Sequence, residues 1–380
     1  MTEWREQKLS DFMDFNPYTP LSKGIIAKKV TMEKLIPFNR KIQGYEDAVF
    51  SGGAKFKNGD TLVARITPCL ENGKTAYVDF LNDEEVAFGS TEFIVLRAKE
   101  GISDSRFIFY FAISDEFRDT AIQLMSGTSG RQRVDTEALK RKVFTLPPLP
   151  EQKAIAEVLS SLDDKIDLLT RQNKTLEDIA QAYFRKWFIE DACNKWEVGK
   201  LGDEFNITMG QSPRGETYND LKIGLPFFQG KAEFGFRFPL EKQYCSEPIK
   251  IAEKFDTLLS VRAPVGALNM AMYRCCIGRG LAVPIHKKGY KHYTFYKMKS
   301  LQEVFDTFDD DGTVFGSISR EKFLSIDNVI PPEKLVCSFD NFARHIDLKI
   351  YENTIQIRTL AKLRDTLLPK LINGEIRVKM

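Results

Sequence analysis

Ala154-Ile-Ala-Glu-Val-Leu-Ser-Ser-Leu-Asp-Asp-Lys-Ile-Asp-Leu-Leu169 is the stretch that decides the fold. Its apolar residues return at alternating steps of four and three: Ile155, Leu159, Leu162, Ile166 and Leu169. The rhythm continues through Asn173, Leu176, Ala180, Tyr183 and Trp187, with no glycine to interrupt it. That is the seam of a long amphipathic helix shaped to pack on another helix. A second such seam lies in the same chain. Ile346, Ile350, Asn353, Ile357, Leu360, Arg364, Leu367 and Leu371 keep the same period before Asn373-Gly374 closes the segment. At about 1.5 Å per residue each helix is expected to be roughly 55 Å long.

Both helical segments follow a proline pair, Pro147-Pro148 and Pro331-Pro332. Pro147 and Pro331 lie 184 positions apart, as do Leu162 and Ile346, so the seams align without a gap. The rest of the chain is duplicated too. Trp4, Lys8, Leu9 and Asp11 return as Trp196, Lys200, Leu201 and Asp203. Asp60-Thr61-Leu62 with Pro68 returns as Asp256-Thr257-Leu258 with Pro264, and Gly127-Thr128 as Gly312-Thr313.

One chain places two similar domains symmetrically most easily if its helices run antiparallel. Full overlap then sets Ile155 against Leu371, Leu176 against Ile350 and Asn173 against Asn353. A matched polar pair inside a seam costs stability and fixes register. Tyr183, Phe184, Trp187 and Phe188, near the end of the first helix, read as internal packing, with docking of a partner as the alternative.

At 380 residues the chain suits two or more domains. Its 43% apolar and 28% charged residues are those of a globular protein. A net charge of +2 excludes a uniformly basic coat but not local basic surfaces. Met1-Thr-Glu-Trp-Arg-Glu holds no apolar run, so no signal peptide is expected, and no stretch approaches the roughly 20 apolar residues of a membrane span. Six scattered cysteines then read as reduced thiols of a cytoplasmic protein.

Four blocks are expected: a domain over 1–147, a helix over 148–192, a second domain over 193–331, and a second helix over 332–380. Short apolar runs between turn signals make the domains α/β (α+β). Asp60–Ile66 and Glu92–Arg97 read as strands, and Asn58-Gly59 and Asn72-Gly73 as turns. The expected fold is therefore two α/β domains joined by two long helices in an antiparallel coiled coil, with a pseudo-twofold internal repeat.

Catalytic signatures are sparse. Asn16-Pro17-Tyr18 resembles the Asn-Pro-Pro-Tyr loop of amino-methyltransferases but lacks the second proline, and it reads as a turn. No Gly-x4-Gly-Lys-Ser/Thr nucleotide loop occurs. Cys275-Cys276 with His286 and His292 does not have the usual metal-ligand spacing. Asp309-Asp-Asp-Gly312 lacks the alternating ligands and distal Glu of a cation loop and reads as a solvated turn. Three histidines leave little for acid-base catalysis. No metal and no cofactor is expected in the chain itself.

Nucleic-acid signals are stronger. Gly127-Thr-Ser-Gly-Arg-Gln-Arg133 offers Thr128, Ser129, Arg131 and Arg133, the side chains that usually meet phosphates and base edges. It reads equally as a plain loop. Its counterpart, Gly312–Arg320, offers Ser317 and Arg320. Lys55, Lys57, Arg65 and Lys74 form a second polar cluster, and Arg262 and Arg279 are candidates for the same work in the second half. His286–Lys299 is basic and aromatic and invites a stacking role. Its repeat partner, Arg106-Phe-Ile-Phe-Tyr-Phe-Ala112, reads as a buried helix, so a packed aromatic core with a basic outer face is favoured.

Leu146-Pro-Pro-Leu-Pro-Glu-Gln-Lys-Ala-Ile-Ala156, followed by Leu162-Asp-Asp-Lys-Ile166, resembles the central spacer of type I restriction–modification specificity subunits. Lys57–Lys74 and Gly89–Arg97 resemble one class of their target-recognition domains. Gly210-Gln-Ser-Pro-Arg-Gly-Glu-Thr-Tyr-Asn219 and Leu225-Pro-Phe-Phe-Gln-Gly-Lys231 resemble the opening of another. The resemblance adds Gln211, Ser212, Arg214, Gln229 and Lys231 as second-half contact candidates.

It implies a subunit that is not itself an enzyme. Each domain reads one half of a bipartite target in double-stranded DNA, and the helices set the gap. Two methyltransferase (modification) subunits bind the frame and restriction (motor and nuclease) subunits can join. S-adenosylmethionine, ATP and magnesium belong to those partners. Three other readings remain: a self-contained methyltransferase or nuclease, a protein-only coiled-coil scaffold, and a specificity module for a single-chain methyltransferase-nuclease.

Overall fold

A computed structural model describes residues 3–128, 130–192, 196–308 and 316–378. Ser129, Gly312-Thr313 and the Asp309–Gly312 turn lie outside the described residues. The chain forms two compact units, Met1–Leu168 with Ile357–Met380, and Leu169–Gln356. The unit boundaries fall inside two long helices, α1 (Leu149–Arg185) and α2 (Glu333–Ile372). Each unit therefore holds an α/β head and a stretch of both helices.

In the first unit a four-stranded antiparallel sheet runs Met13–Phe15, Phe93–Ala98, Thr61–Ala64, Thr75–Tyr77. A mixed sheet runs Glu46–Val49, Ile26–Val30, Ala87–Gly89, Ala54–Phe56. The helix Ser105–Ile113 packs on the first sheet, and Phe107, Phe109 and Phe111 are buried there. Asp104 caps it by accepting from the Arg106 and Phe107 N–H groups. The strand Arg5–Lys8 pairs with Val143–Leu146 and brings the domain's two ends together where α1 begins.

The second unit repeats this plan. Its antiparallel sheet runs Phe205–Met209, Leu281–His286, Thr257–Ser260, Leu268–Met270, and Glu197–Lys200 pairs with Asp327–Ile330. A five-stranded mixed sheet completes it. The helix Lys291–Ser300 matches Ser105–Ile113 and buries His292, Tyr293, Phe295 and Tyr296. Its lysines, Lys291, Lys297 and Lys299, are half-buried, and Lys299 donates to Glu177 on α1 at 2.9 Å, so the basic-aromatic segment is a packed core helix.

The repeated words have structural reasons. Asp60 Oδ2 accepts the Lys57 N–H at 2.8 Å, and Asp256 Oδ2 accepts the Glu253 N–H at 2.8 Å, closing the turn before the central strand in both heads. Thr67-Pro68 and Ala263-Pro264 are both cis. Trp4 Nε1 donates to Glu151 on α1 at 3.0 Å, and Arg377 pairs with the same carboxylate. Gly59 and Gly73 sit at φ +88° and +75°, in the left-handed region that the two Asn-Gly turns need.

The helices run antiparallel within each unit. In the first, Arg364 Nη1 donates to Asp163 Oδ1 at 2.7 Å, and Ile155, Leu159 and Leu371 share one buried cluster. In the second, Asn353 Nδ2 donates to Asn173 Oδ1 at 2.9 Å, and Leu176 packs on the cluster that contains Ile346 and Ile350. Each fully buried Ile or Leu in these clusters contributes about 1.5–3 kcal/mol of transfer free energy. Leu162, Ile166, Ile357, Leu360 and Leu367 are half-buried, while Leu169 is buried.

Tyr183 lies at the edge of the seam, its ring 4.8 Å from that of Phe342 on α2. It is 45% exposed, and Phe184 takes the inward place beside Phe339 and Tyr293. A straight helix drifts about 20° per heptad against a seven-residue repeat, so the buried face moves on by one residue. Trp187 and Phe188 are both half-buried: Phe188 packs on Tyr293, Phe339 and Trp196, and Trp187 on Phe339 and Phe342. No helix among the described residues is long and apolar enough to cross a membrane.

Candidate nucleic-acid interface

In the first head the chain leaves the strand Met13–Phe15 through Asn16, whose φ of +48° turns it sharply. Asparagine tolerates this left-handed conformation better than most residues. Its N–H donates to the Val95 carbonyl at 2.7 Å, and its Oδ1 accepts the Val95 N–H at 2.9 Å. The loop Asn16–Thr19, with Gly53, Lys55, Arg65, Thr91 and Phe93, lines a groove of about 410 Å³. Gly53 is required here: a Cβ would lie 2.1 Å from the Gly89 carbonyl oxygen.

The hairpin Met125–Ser126/Arg133–Val134 packs beside Arg65, which lines that groove. Val134 N–H donates to the Arg65 carbonyl at 2.9 Å, and Thr67 N–H to the Gln132 carbonyl at 3.0 Å. Glu92 holds both guanidinium groups: Arg133 Nη2 at 2.7 Å and Arg65 Nε at 3.2 Å. The Arg133 hydrogen bond is the main force holding the Glu92 carboxyl below the usual carboxylate range; partial burial opposes it and Arg65 assists.

The structure thus gathers Lys55, Arg65 and Arg133. Thr128 and Arg131 are exposed at the hairpin tip. Lys57 is exposed on the turn that Asp60 closes. Lys74 is drawn elsewhere: its ammonium donates to the Met32 carbonyl at 3.0 Å.

In the second head Ser212 Oγ donates to Gln229 Oε1 at 3.0 Å and accepts the Arg279 N–H at 3.3 Å. Gln211 N–H reaches the Ile277 carbonyl at 3.1 Å. Gly210 permits this approach, since a Cβ there would lie 2.2 Å from the Gly278 oxygen. Val261 N–H donates to the Gly280 carbonyl at 2.9 Å, and Arg262 forms an isolated bridge with Ser317. Gln211, Ser212, Gln229, Arg262, Arg279 and Ser317 therefore occupy one region. The Arg262–Ser317 bridge repeats the Ile66–Arg133 bridge of the first head. Arg214, Lys231 and Arg320 are exposed on neighbouring turns and a short helix, without links to this cluster among the described contacts.

Each head rests on its helices through buried charge. Arg237, fully buried, donates to Asp347 at 3.0 Å, Glu177 at 3.1 Å and Tyr296 OH at 3.1 Å. In the first unit Arg40 pairs with Asp164, while Tyr110 OH donates to Asp163 at 2.7 Å. Asp163 and Asp347 lie 184 apart, the helix repeat offset. Burial, with help from these carboxylates, pushes the Tyr110 and Tyr296 phenols up, so both remain proton donors. His292 Nδ1 lies 2.8 Å from Asp347, and His286 3.5 Å from Glu204, while Cys275 and Cys276 are buried on one strand. No group of His, Cys, Asp and Glu among the described residues is arranged to hold a metal.

Sequence reasoning missed Glu92 and Tyr18. Tyr18 was visible only as part of a turn, and the Glu92 pairing depends on a strand end meeting a hairpin 41 residues on.

An α/β head mounted on an antiparallel helix pair, built twice in one chain and turning arginine, lysine and glutamine outward, defines a two-headed recognition protein. The type I restriction modification DNA specificity domain matches residues 1–178. The chain is 27% identical to a putative type I restriction enzyme specificity subunit, MjaX, of Methanocaldococcus jannaschii, over 99% of this chain and 94% of the relative. It is 23% identical to the HindI specificity subunit of Haemophilus influenzae, over 99% and 100%. The solved type I S subunit from M. genitalium shares the fold, with TM-score 0.63 and 21% identity over 97% of this chain and 96% of that one. Residues 1–178 thus carry a type I restriction modification DNA specificity domain, and along nearly its whole length the chain is similar to type I specificity subunits.

Proposed function

We infer that this chain is the DNA specificity subunit of a type I restriction–modification complex. It is a recognition subunit and not an enzyme. Each head reads one half of a bipartite target in double-stranded DNA, and the helix pair sets the gap and docks two methyltransferase subunits. Restriction subunits complete the assembly. The observation that carries the reading is the duplicated head: each places a separate outward cluster of arginine with lysine or glutamine beside its central sheet.

Lys55, Arg65, Arg131 and Arg133 are the first-head contacts in this reading. Gln211, Ser212, Gln229, Arg262, Arg279 and Ser317 are the second-head ones. Arginine and glutamine forks match guanine and adenine edges, and lysines and hydroxyls match phosphates. The clusters differ in composition, which fits two unlike half-sites. In this reading the chain carries no cofactor of its own. S-adenosylmethionine, ATP and magnesium chemistry reside in the partners, and the assembly works in the cytoplasm.

Mapping methylated bases in a genome that expresses this chain with its modification partners tests the reading. One asymmetric motif with a fixed gap is expected. A contiguous motif, or methylation independent of this chain, overturns it.

A further inference from the structure

We propose that Tyr18 is a base-stacking contact of the first head, presented by a rigid loop and backed by Lys55. This rests on the reading of the chain as a DNA reader and adds a residue and a contact chemistry to it.

Tyr18 is 86% exposed, the most exposed large hydrophobic side chain among the described residues. Such a ring on a loose loop would mean little, but this loop is held at both ends. Asn16 exchanges two hydrogen bonds with Val95. Thr19 is buried, donates to the Pro17 carbonyl at 3.3 Å and accepts from Arg97 Nη2 at 3.0 Å. Arg97 is in turn fixed by Asp60 at 2.6 and 2.7 Å. Pro17 restricts φ just before the ring. The aromatic is therefore displayed on a braced turn.

Its surroundings select the ligand. The Lys55 ammonium lies 5.4 Å from the ring centroid, a cation–π arrangement. Arg65 lines the same groove, and Arg133 joins it through Glu92. A flat ring beside cations fits a flat, electron-rich base attached to a phosphate backbone. Aromatic stacking on a base is sequence-tolerant and contributes about a tenfold gain in affinity per contact or more. Tyr18 then supplies affinity and local unstacking, while Arg65 and Arg133 supply base choice.

The test uses the complex of this chain with its modification subunits and the bipartite duplex identified by methylation mapping. Tyr18→Trp is compared with wild type by tryptophan fluorescence during titration. Stacking quenches the added indole, so emission lost on saturation should exceed that of wild type. Tyr18→Ala should weaken target binding about tenfold, with Tyr18→Phe within about twofold of wild type and subunit assembly unchanged in both. No extra quenching with full DNA binding overturns the stacking role and leaves the DNA reading intact. Loss of assembly in Tyr18→Ala with no quenching places Tyr18 in a subunit contact instead. Failure of wild type to bind any duplex overturns both readings.

Discussion

Asn353 Nδ2 donates to Asn173 Oδ1 at 2.9 Å, with both amides buried between the two helices of the second unit. The pair makes the helix register discrete: one slip leaves each amide facing an apolar neighbour. Asn353→Leu alone strands the Asn173 amide and is expected to cost about 1–3 kcal/mol in urea unfolding. Replacing both by Leu should return most of that stability and permit alternative registers. A double variant as unstable as the single one contradicts this account.

Arg237 joins the second head to both helices, so its loss should exceed that of an ordinary surface ion pair. Arg237→Met takes the shared guanidinium from two buried carboxylates and leaves Glu177 with Lys299 and Asp347 with His292, with an expected cost of about 3–5 kcal/mol. Adding Glu177→Gln and Asp347→Asn removes the carboxylate charges and should recover a large part of it. Equilibrium unfolding of the two variants gives the comparison. If neutralising the carboxylates makes matters worse, the charge is not what destabilises Arg237→Met.

The helix pair and its register were legible because heptad spacing is a local property and both copies carry it. The repeat was legible because its words close the same turns: Asp60 and Asp256 accept the N–H groups of Lys57 and Glu253 in the same way. The interface was only partly legible. Lys74 and Arg65 are near neighbours in sequence, yet strand pairing sends one to the Met32 carbonyl and the other to Glu92. Arg237 gave no periodic signal, because its partners Glu177 and Asp347 are 60 and 110 residues away. Sequence pattern fixes which face an element buries; it does not state which loops that packing brings together.

Glu92 is an anion at the centre of a surface read here as facing phosphates. It orders Arg65 and Arg133 and competes with DNA for them. Glu92→Gln removes one negative charge and loosens both guanidinium groups. Binding to random duplex should tighten, and the dependence on salt should steepen by one or two phosphate contacts, each about 0.9 log units per log unit of salt. Discrimination between target and random duplex should fall, because the arginines lose their fixed geometry. Filter-binding titrations across salt concentrations measure both. An unchanged slope with unchanged discrimination removes Glu92 and its arginines from the interface.

The helices also permit a geometric test that leaves both heads untouched. Seven residues added to α1 after Leu168 and seven to α2 after Gln356 keep each seam in phase. The insertion lengthens the pair by roughly 10 Å, about three base pairs at roughly 3.4 Å each. Methylation mapping should then return the same two half-site sequences with a gap wider by about three pairs. The heptad, rather than four or five residues, is the proper unit, since a shorter insertion breaks the seam phase between Ile166 and Leu169 and between Asn353 and Ile357 and confounds length with register. An unchanged gap would show that spacing is set by the heads or the partner subunits, and that the helix pair only holds the chain together.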